Sequence, residues 1–150
     1  MNVNVKIKLL RDVPVPEYAT DGSAALDLRA AFDDGVESVT VEPHQRVMIP
    51  TGIAIAPEDK NVVAIVAARS GLAIKHGITL SNGIGVIDSD YRGEICVGLY
   101  NTSDKPFTVT KGDRVAQLMF MPVYTARLTV SSSLDETERG EGGFGSTGVR

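Results

Sequence analysis

VNVKIKL (residues 3–9) opens the chain with Val3, Val5, Ile7 and Leu9 alternating against Asn4, Lys6 and Lys8. A period of two places the apolar side chains on one face of extended backbone, so the segment predicts a half-buried β-strand. Similar short runs follow at Leu26–Leu28, Val39–Val41, Arg46–Ile49, Ile53–Ala56, Val62–Ala67, Ile95–Tyr100, Phe107–Val109, Val115–Met121 and Thr125–Val130. Turn-forming groups separate them, among them Thr20-Asp21-Gly22, Asp33-Asp34-Gly35, Pro57-Glu58-Asp59 and Lys111-Gly112-Asp113. Many short strands at close spacing predict an all-β single domain of sandwich, barrel or jelly-roll type. Only Ser70–His76, bracketed by Gly71 and Gly77, reads as a short helix. Ser81-Asn82-Gly83-Ile84 reads as a tight hairpin, because Asn-Gly supplies the positive φ angles of a type I′ turn. No internal repeat is present.

The composition agrees with that reading. A chain of 150 residues, 43% hydrophobic and 23% charged, suits one soluble globular domain. With 5% aromatic residues and no Trp, the core must come from Val, Ile, Leu and Ala. A net charge of −4 speaks against nucleic-acid binding through the overall field, though not against a small phosphate ligand. The single cysteine, Cys96, allows no intrachain disulfide and reads as a core residue between Ile95 and Val97. No run approaches the roughly 20 apolar residues of a membrane span, and Asn4, Lys6 and Lys8 interrupt any signal-peptide core. A cytoplasmic protein without a membrane partner is expected.

Three segments carry chemistry. In GVIDSDYRG (85–93), Asp88 and Asp90 lie two residues apart and Tyr91 follows. As a strand, the two carboxylates face one side and Tyr91 the other. As a turn, all three can converge, and a plain solvated turn is the bland alternative. ARSGLA (68–73) sets Arg69, Ser70 and Gly71 at a helix start, where amides, a hydroxyl and a guanidinium suit a phosphate. Ser70 reads equally well as an N-cap. From Ser131 the chain turns polar, and RGEGGFGSTG (139–148) holds five glycines in ten residues. Such a stretch predicts a flexible arm over 131–150 rather than a strand. Within it Arg139, Gly145, Ser146 and Thr147 suit phosphate oxygens, and Phe144 suits stacking on a planar ligand.

Taken together, these segments resemble the trimeric dUTP pyrophosphatase family, whose five motifs occur in order. They are GSAALDLRA (22–30), ARSGLA (68–73), SNGIGVIDSDYRGE (81–94), GDRVAQLMF (112–120) and RGEGGFGSTG (139–148). The resemblance covers nearly the whole chain and implies a distorted jelly-roll or β-barrel-like domain over 1–130. It also implies a homotrimer with sites shared between subunits, a dUTP substrate and Mg²⁺. Asp88 is then the general base for water attack on the α-phosphorus, and Tyr91 packs under the deoxyribose. Asn82 and Gly83 would read uracil, and Arg69, Ser70, Gly71 and Gln117 would hold the phosphates. Asp27 would hold the metal through water. Phe144 would stack on the base while Arg139, Gly145, Ser146 and Thr147 close over the terminal phosphates. Arg114 is expected to pair with a neighbouring carboxylate rather than touch substrate. Ala25 and Ala68 depart from the family pattern, which usually has Gly and Pro there; residue 25 must then avoid positive φ.

The nearest rival is a dCTP deaminase of the same fold. Those relatives carry a catalytic Glu where this chain has Gly98. A non-catalytic binding protein and a generic jelly-roll ligand binder are the remaining alternatives. His44 and His76 have no metal-ligand partner at useful spacing, so no zinc site is expected; His76 is expected to satisfy a local backbone group.

Overall fold

The computed structural model describes residues 2–143. Among these, eleven strands and one short helix follow one another: β1 (Val5–Leu9), β2 (Leu26–Arg29), β3 (Ser38–Val41), β4 (Arg46–Pro50), β5 (Ile53–Pro57), β6 (Val62–Ala68), α1 (Ser70–His76), β7 (Ile78–Leu80), β8 (Gly85–Ile87), β9 (Cys96–Asn101), β10 (Phe107–Thr110) and β11 (Arg114–Pro122). All their pairings are antiparallel, and they make a distorted, jelly-roll-like β fold. A four-stranded sheet runs β2-β11-β6-β8 and a three-stranded sheet β4-β9-β7, with β1-β5 and β10-β3 as ribbons.

The core is aliphatic, as the composition requires. Leu28, Ile49, Ile53, Ile78, Ile95, Val97, Leu99 and Leu118 are all essentially inaccessible, and the ring of Phe32 is buried with them. The α1 helix matches the segment expected and ends where Gly77 enters the left-handed region at φ 69°. A Cβ there would also press on Thr102 Oγ1 at 2.9 Å, so a side chain is excluded twice over.

Several expectations need correction. β1 pairs with β5, yet most of its residues are exposed, including Leu9. Only Val5 packs partly buried against the core, while Ile7 and Leu9 stay more than a third exposed. Cys96 is exposed rather than core, because β9 alternates and turns Val97 and Leu99 inward while Cys96 points out. No strand forms over 125–130; residues 123–141 are exposed throughout, after Val123 N donates to Asn61 O at 2.8 Å. The 81–84 segment is not a type I′ hairpin. Only Gly83 in it has positive φ (74°), and the segment carries the chain from β7 in one sheet to β8 in another. His76 packs its ring 5.0 Å from that of Phe107 rather than serving a backbone group. Ala25 keeps negative φ, as required, although β2 starts one residue later.

A buried amide, Asn101, ties the end of β9 to the strands beside it. Its Nδ2 donates to Val41 O (2.9 Å) and Lys105 O (2.7 Å), while Oδ1 accepts from Ser103 N (2.9 Å) and Ser103 Oγ (2.8 Å). The side chain is fully buried. Truncation would orphan two carbonyls in a low-dielectric setting. Asn101→Ala is therefore expected to cost about 2–4 kcal/mol in urea unfolding at fixed protomer concentration; a loss under about 1 kcal/mol would contradict this account.

Candidate active site

β11 carries Gln117 opposite Asp27 of β2 on one edge and opposite Ala67 of β6 on the other. Gln117 and Asp27 are thus cross-strand neighbours on one face. β6 then delivers Arg69 just beyond its end. Arg69 Nε lies 3.3 Å from Asp27 Oδ1, and Arg114 Nη1 donates to Asp27 Oδ2 at 3.0 Å. Arg69 Nη1 also donates to Arg114 O at 2.9 Å. One carboxylate, 15% exposed, therefore draws two guanidinium groups together. The pairing expected for Arg114 is with Asp27.

Ser70 and Gly71 sit at the exposed start of α1. Arg69, not Ser70, occupies the N-cap position, and no side chain caps the helix. The in-helix bonds begin with Leu72 and Ala73, which both donate to Arg69 O. The Ser70 hydroxyl is consequently left for other partners. Asp27 and Arg114 also line an open cavity of about 580 Å³ that reaches Tyr18 and Thr51.

The carboxylate Oδ1 of Asp27 is buried and accepts no hydrogen bond, so it retains capacity for one further donor. Among the described residues no group of three or more His, Cys, Asp or Glu side chains converges.

The second cluster lies beyond β8. Tyr91 N donates to Asp88 O at 3.1 Å, so Asp88–Tyr91 is a turn rather than a continuing strand. Arg92 Nη1 staples it by donating to Ser89 O (2.8 Å) and Tyr91 O (2.9 Å). Asp88 is exposed, and Tyr91 is exposed with its hydroxyl donating to Glu94 O at 3.1 Å. Glu94 Oε1 in turn accepts from Arg11 Nη1 (2.5 Å) and Gly52 N (2.7 Å), and Arg11 Nε donates to Asp33 at 2.7 Å. Its two carboxylate partners, Asp33 foremost, hold the Arg11 guanidinium charged. Arg92, Glu94 and Arg11 escaped the sequence reading. Arg92 bonds only to backbone, and Arg11 and Glu94 meet across 83 residues of sequence.

Between the two clusters, Asn82, Val66, Gly85 and Gly98 line a small cavity of about 120 Å³ that Cys96 also borders. A Cβ on Gly98 would lie 2.5 Å from Ser81 Oγ, so this wall admits no side chain without rearrangement. Asp90 is exposed and takes part in no ion pair among the described residues. Arg139 is exposed, its Nε donating to Gly142 O at 2.8 Å. Phe144, Gly145, Ser146 and Thr147 lie outside the described residues.

The two clusters do not meet within one protomer. Ile87 pairs with Ala64 and Gly85 with Val66, so Asp88 follows β8 beside the start of β6. Arg69 is at the other end. Six residues of strand at about 3.3 Å each separate them by roughly 20 Å.

The fold thus holds a carboxylate-tethered arginine pair at one end of the sheet and a carboxylate–tyrosine turn at the other. The dUTPase family model matches residues 11–148. A deoxyuridine 5'-triphosphate nucleotidohydrolase of Actinobacillus pleuropneumoniae is 54% identical over 137 residues, 91% of this chain and 89% of that one. The Desulfitobacterium hafniense protein of the same name is 51% identical over 151 residues, 99% of this chain and 98% of its own. Among solved structures, the Staphylococcus bacteriophage 80alpha dUTPase with dUpNHpp superposes at a TM-score of 0.86 with 26% identity, covering 97% of this chain and 99% of that one. A mutant dUTPase from phage phi11 of S. aureus, whose structure describes coordination of a structural Mg(II) ion, shares the fold at a TM-score of 0.78 and 20% identity, covering 89% of this chain and 99% of its own. This chain belongs to the dUTPase family.

Cys96 offers a check on the electrostatics near the small cavity. Partial burial, reinforced by the Glu94 charge and opposed by Arg11, raises its thiol above the ordinary value. The raised group stays protonated in the folded state over a window where the unfolded chain begins to ionise. Iodoacetamide labelling of the folded protein should therefore show its pH inflection above that of a free cysteine. An inflection at or below the free value would contradict the assignment.

Proposed function

We propose that this chain hydrolyses dUTP to dUMP and pyrophosphate, as a homotrimer with Mg²⁺ in a reducing compartment, the cytoplasm. Full-length membership of a family whose relatives bear that activity in their names supports the reaction. The observation that carries the site assignment is the separation of the two clusters. A substrate spanning base, sugar and triphosphate needs both, and one protomer holds them roughly 20 Å apart along the sheet.

In the proposed site, Asp88 takes the proton of a water that attacks the α-phosphorus. The bond to the bridging oxygen breaks and pyrophosphate departs. Exposure of Asp88 on a stapled turn leaves its carboxylate free to hold that water. Tyr91 packs under the deoxyribose and excludes a 2′-hydroxyl. Asn82 and Gly83 read the uracil edge at the small cavity. Arg69, Ser70, Gly71 and Gln117 of a neighbouring protomer hold the phosphates. When the substrate enters, its negative charge competes with Asp27 for Arg69, so the carboxylate keeps the guanidinium in place beforehand. Asp27 would hold Mg²⁺ through water, and the metal would spread the triphosphate charge. Residues 131–150 act as an arm, with Phe144 stacking on the base. Arg139, Gly145, Ser146 and Thr147 then close over the terminal phosphates.

The trimer has a second support. Tyr124, Ala126, Leu128 and Val130 alternate with polar residues as a strand does, yet Tyr124, Leu128 and Val130 are almost wholly exposed in the single chain. A strand pattern without a sheet of its own points to pairing on another copy.

Asp88→Asn should lower kcat for pyrophosphate release from dUTP by about 10²–10⁴-fold. Mixing refolded Asp88→Asn and Arg69→Ala protomers should restore activity that neither has alone, because some sites in hybrid trimers carry both native groups. Failure of complementation, or a sedimentation mass other than three times the 16.0 kDa of the chain, would overturn the shared site. Deleting the residues after Glu138 should leave a folded trimer with little turnover; loss of folding would instead place the tail in the core.

A further inference from the structure

We infer that Gly93 is a specificity-determining position: its bare Cα is the seat on which the Tyr91 ring rests. The inference rests on the proposed reading of Tyr91 as the residue that meets the sugar. A Cβ built on Gly93 would overlap the Tyr91 hydroxyl and lie 2.6 Å from Cζ and 3.1 Å from Cε2. Real side chains do not tolerate such contacts, so ring and Cβ cannot share this space.

Gly93 is not needed here for backbone freedom. Its φ lies outside the left-handed region, so an alanine adopts the same backbone without strain. The obstacle to a methyl group is the end of a side chain that is 45% exposed. Tyr91 can therefore swing away at small cost, and the fold survives. What is lost is the position of the ring.

That position is otherwise well fixed. The Tyr91 hydroxyl donates to Glu94 O, and Glu94 is itself held by Arg11 and Gly52 N. The seat thus consists of a glycine that makes room and a neighbouring carbonyl that pins the hydroxyl. A methyl at residue 93 removes the first and, by displacing the ring, breaks the second. A ring moved off its seat no longer fills the space that a ribose 2′-hydroxyl needs.

The test compares kcat/KM for dUTP and UTP in wild type, Gly93→Ala and Tyr91→Ala, with melting temperature and trimer mass recorded for each. The expected result is a dUTP/UTP ratio lowered roughly tenfold or more in both variants, with Gly93→Ala still a folded trimer. A ratio that collapses in Tyr91→Ala but holds in Gly93→Ala would overturn the seat and spare the reading of Tyr91. An unchanged ratio in both would overturn the two together, and an unfolded Gly93→Ala would show that the glycine serves the backbone. Wild-type inactivity on dUTP would sink the proposed reaction itself, a separate outcome.

Discussion

Gln117 faces Asp27 across one ladder and Ala67 across the other because β11 is hydrogen-bonded along both edges. That double pairing fixes where every group at this end of the sheet can stand. Side chains alternate with a period of two, so a slip of one residue would turn Leu118 outward and bury Gln117. Leu118 and Ala116 are fully buried, and their burial pins the register. The polar cluster is thereby positioned by apolar packing on the opposite face of the same strand. A bulge between Arg114 and Ala116 interrupts the ladder on the β2 side, and it lies where Arg114 reaches back to Asp27.

Two guanidinium groups gathered at the end of a sheet would repel each other. Asp27 offsets that repulsion while remaining mostly buried, and its second role follows from the same geometry. A single carboxylate between two guanidinium groups leaves one positive charge over and keeps Arg69 ordered without satisfying it, because the Arg69 Nε contact at 3.3 Å is an ion pair and not a formed hydrogen bond. A phosphate group offers the guanidinium a closer, bidentate partner through two of its oxygens. Preorganisation at modest ground-state cost is what such an arrangement provides.

Much of the fold was legible because its signals are local. Alternation placed nine of the strands, and Gly77 stopped the helix at the residue expected. Three of the errors share one cause. Cys96, Leu9 and Val130 are apolar residues that sequence assigns to an interior, while in one chain they face outward. Hydrophobicity says that a residue seeks cover but not whose cover. The turn at 81–84 failed differently: Asn-Gly permits a type I′ hairpin, but β7 and β8 belong to different sheets, so the chain has no hairpin to close there. In the site, residue types at motif spacing were readable. The Arg11–Glu94–Gly52 linkage was not, since it joins positions far apart in sequence.

In the proposed trimer, the outward-facing apolar residues and the separation of the two clusters are two aspects of one arrangement. β8 and β6 run antiparallel, so the turn that carries Asp88 must emerge at the opposite end of the sheet from Arg69. No side-chain rotation closes a gap of roughly 20 Å. In the proposed trimer, a second copy set so that one protomer's turn meets another's arginine pair would bring the two together. A closed ring of copies does this for every site at once, and each interface then repeats the same contact. The residues that hold copies together need not touch substrate to matter for turnover. In this fold, covering Leu9, Val86 and Leu128 and assembling the proposed chemistry would be the same event.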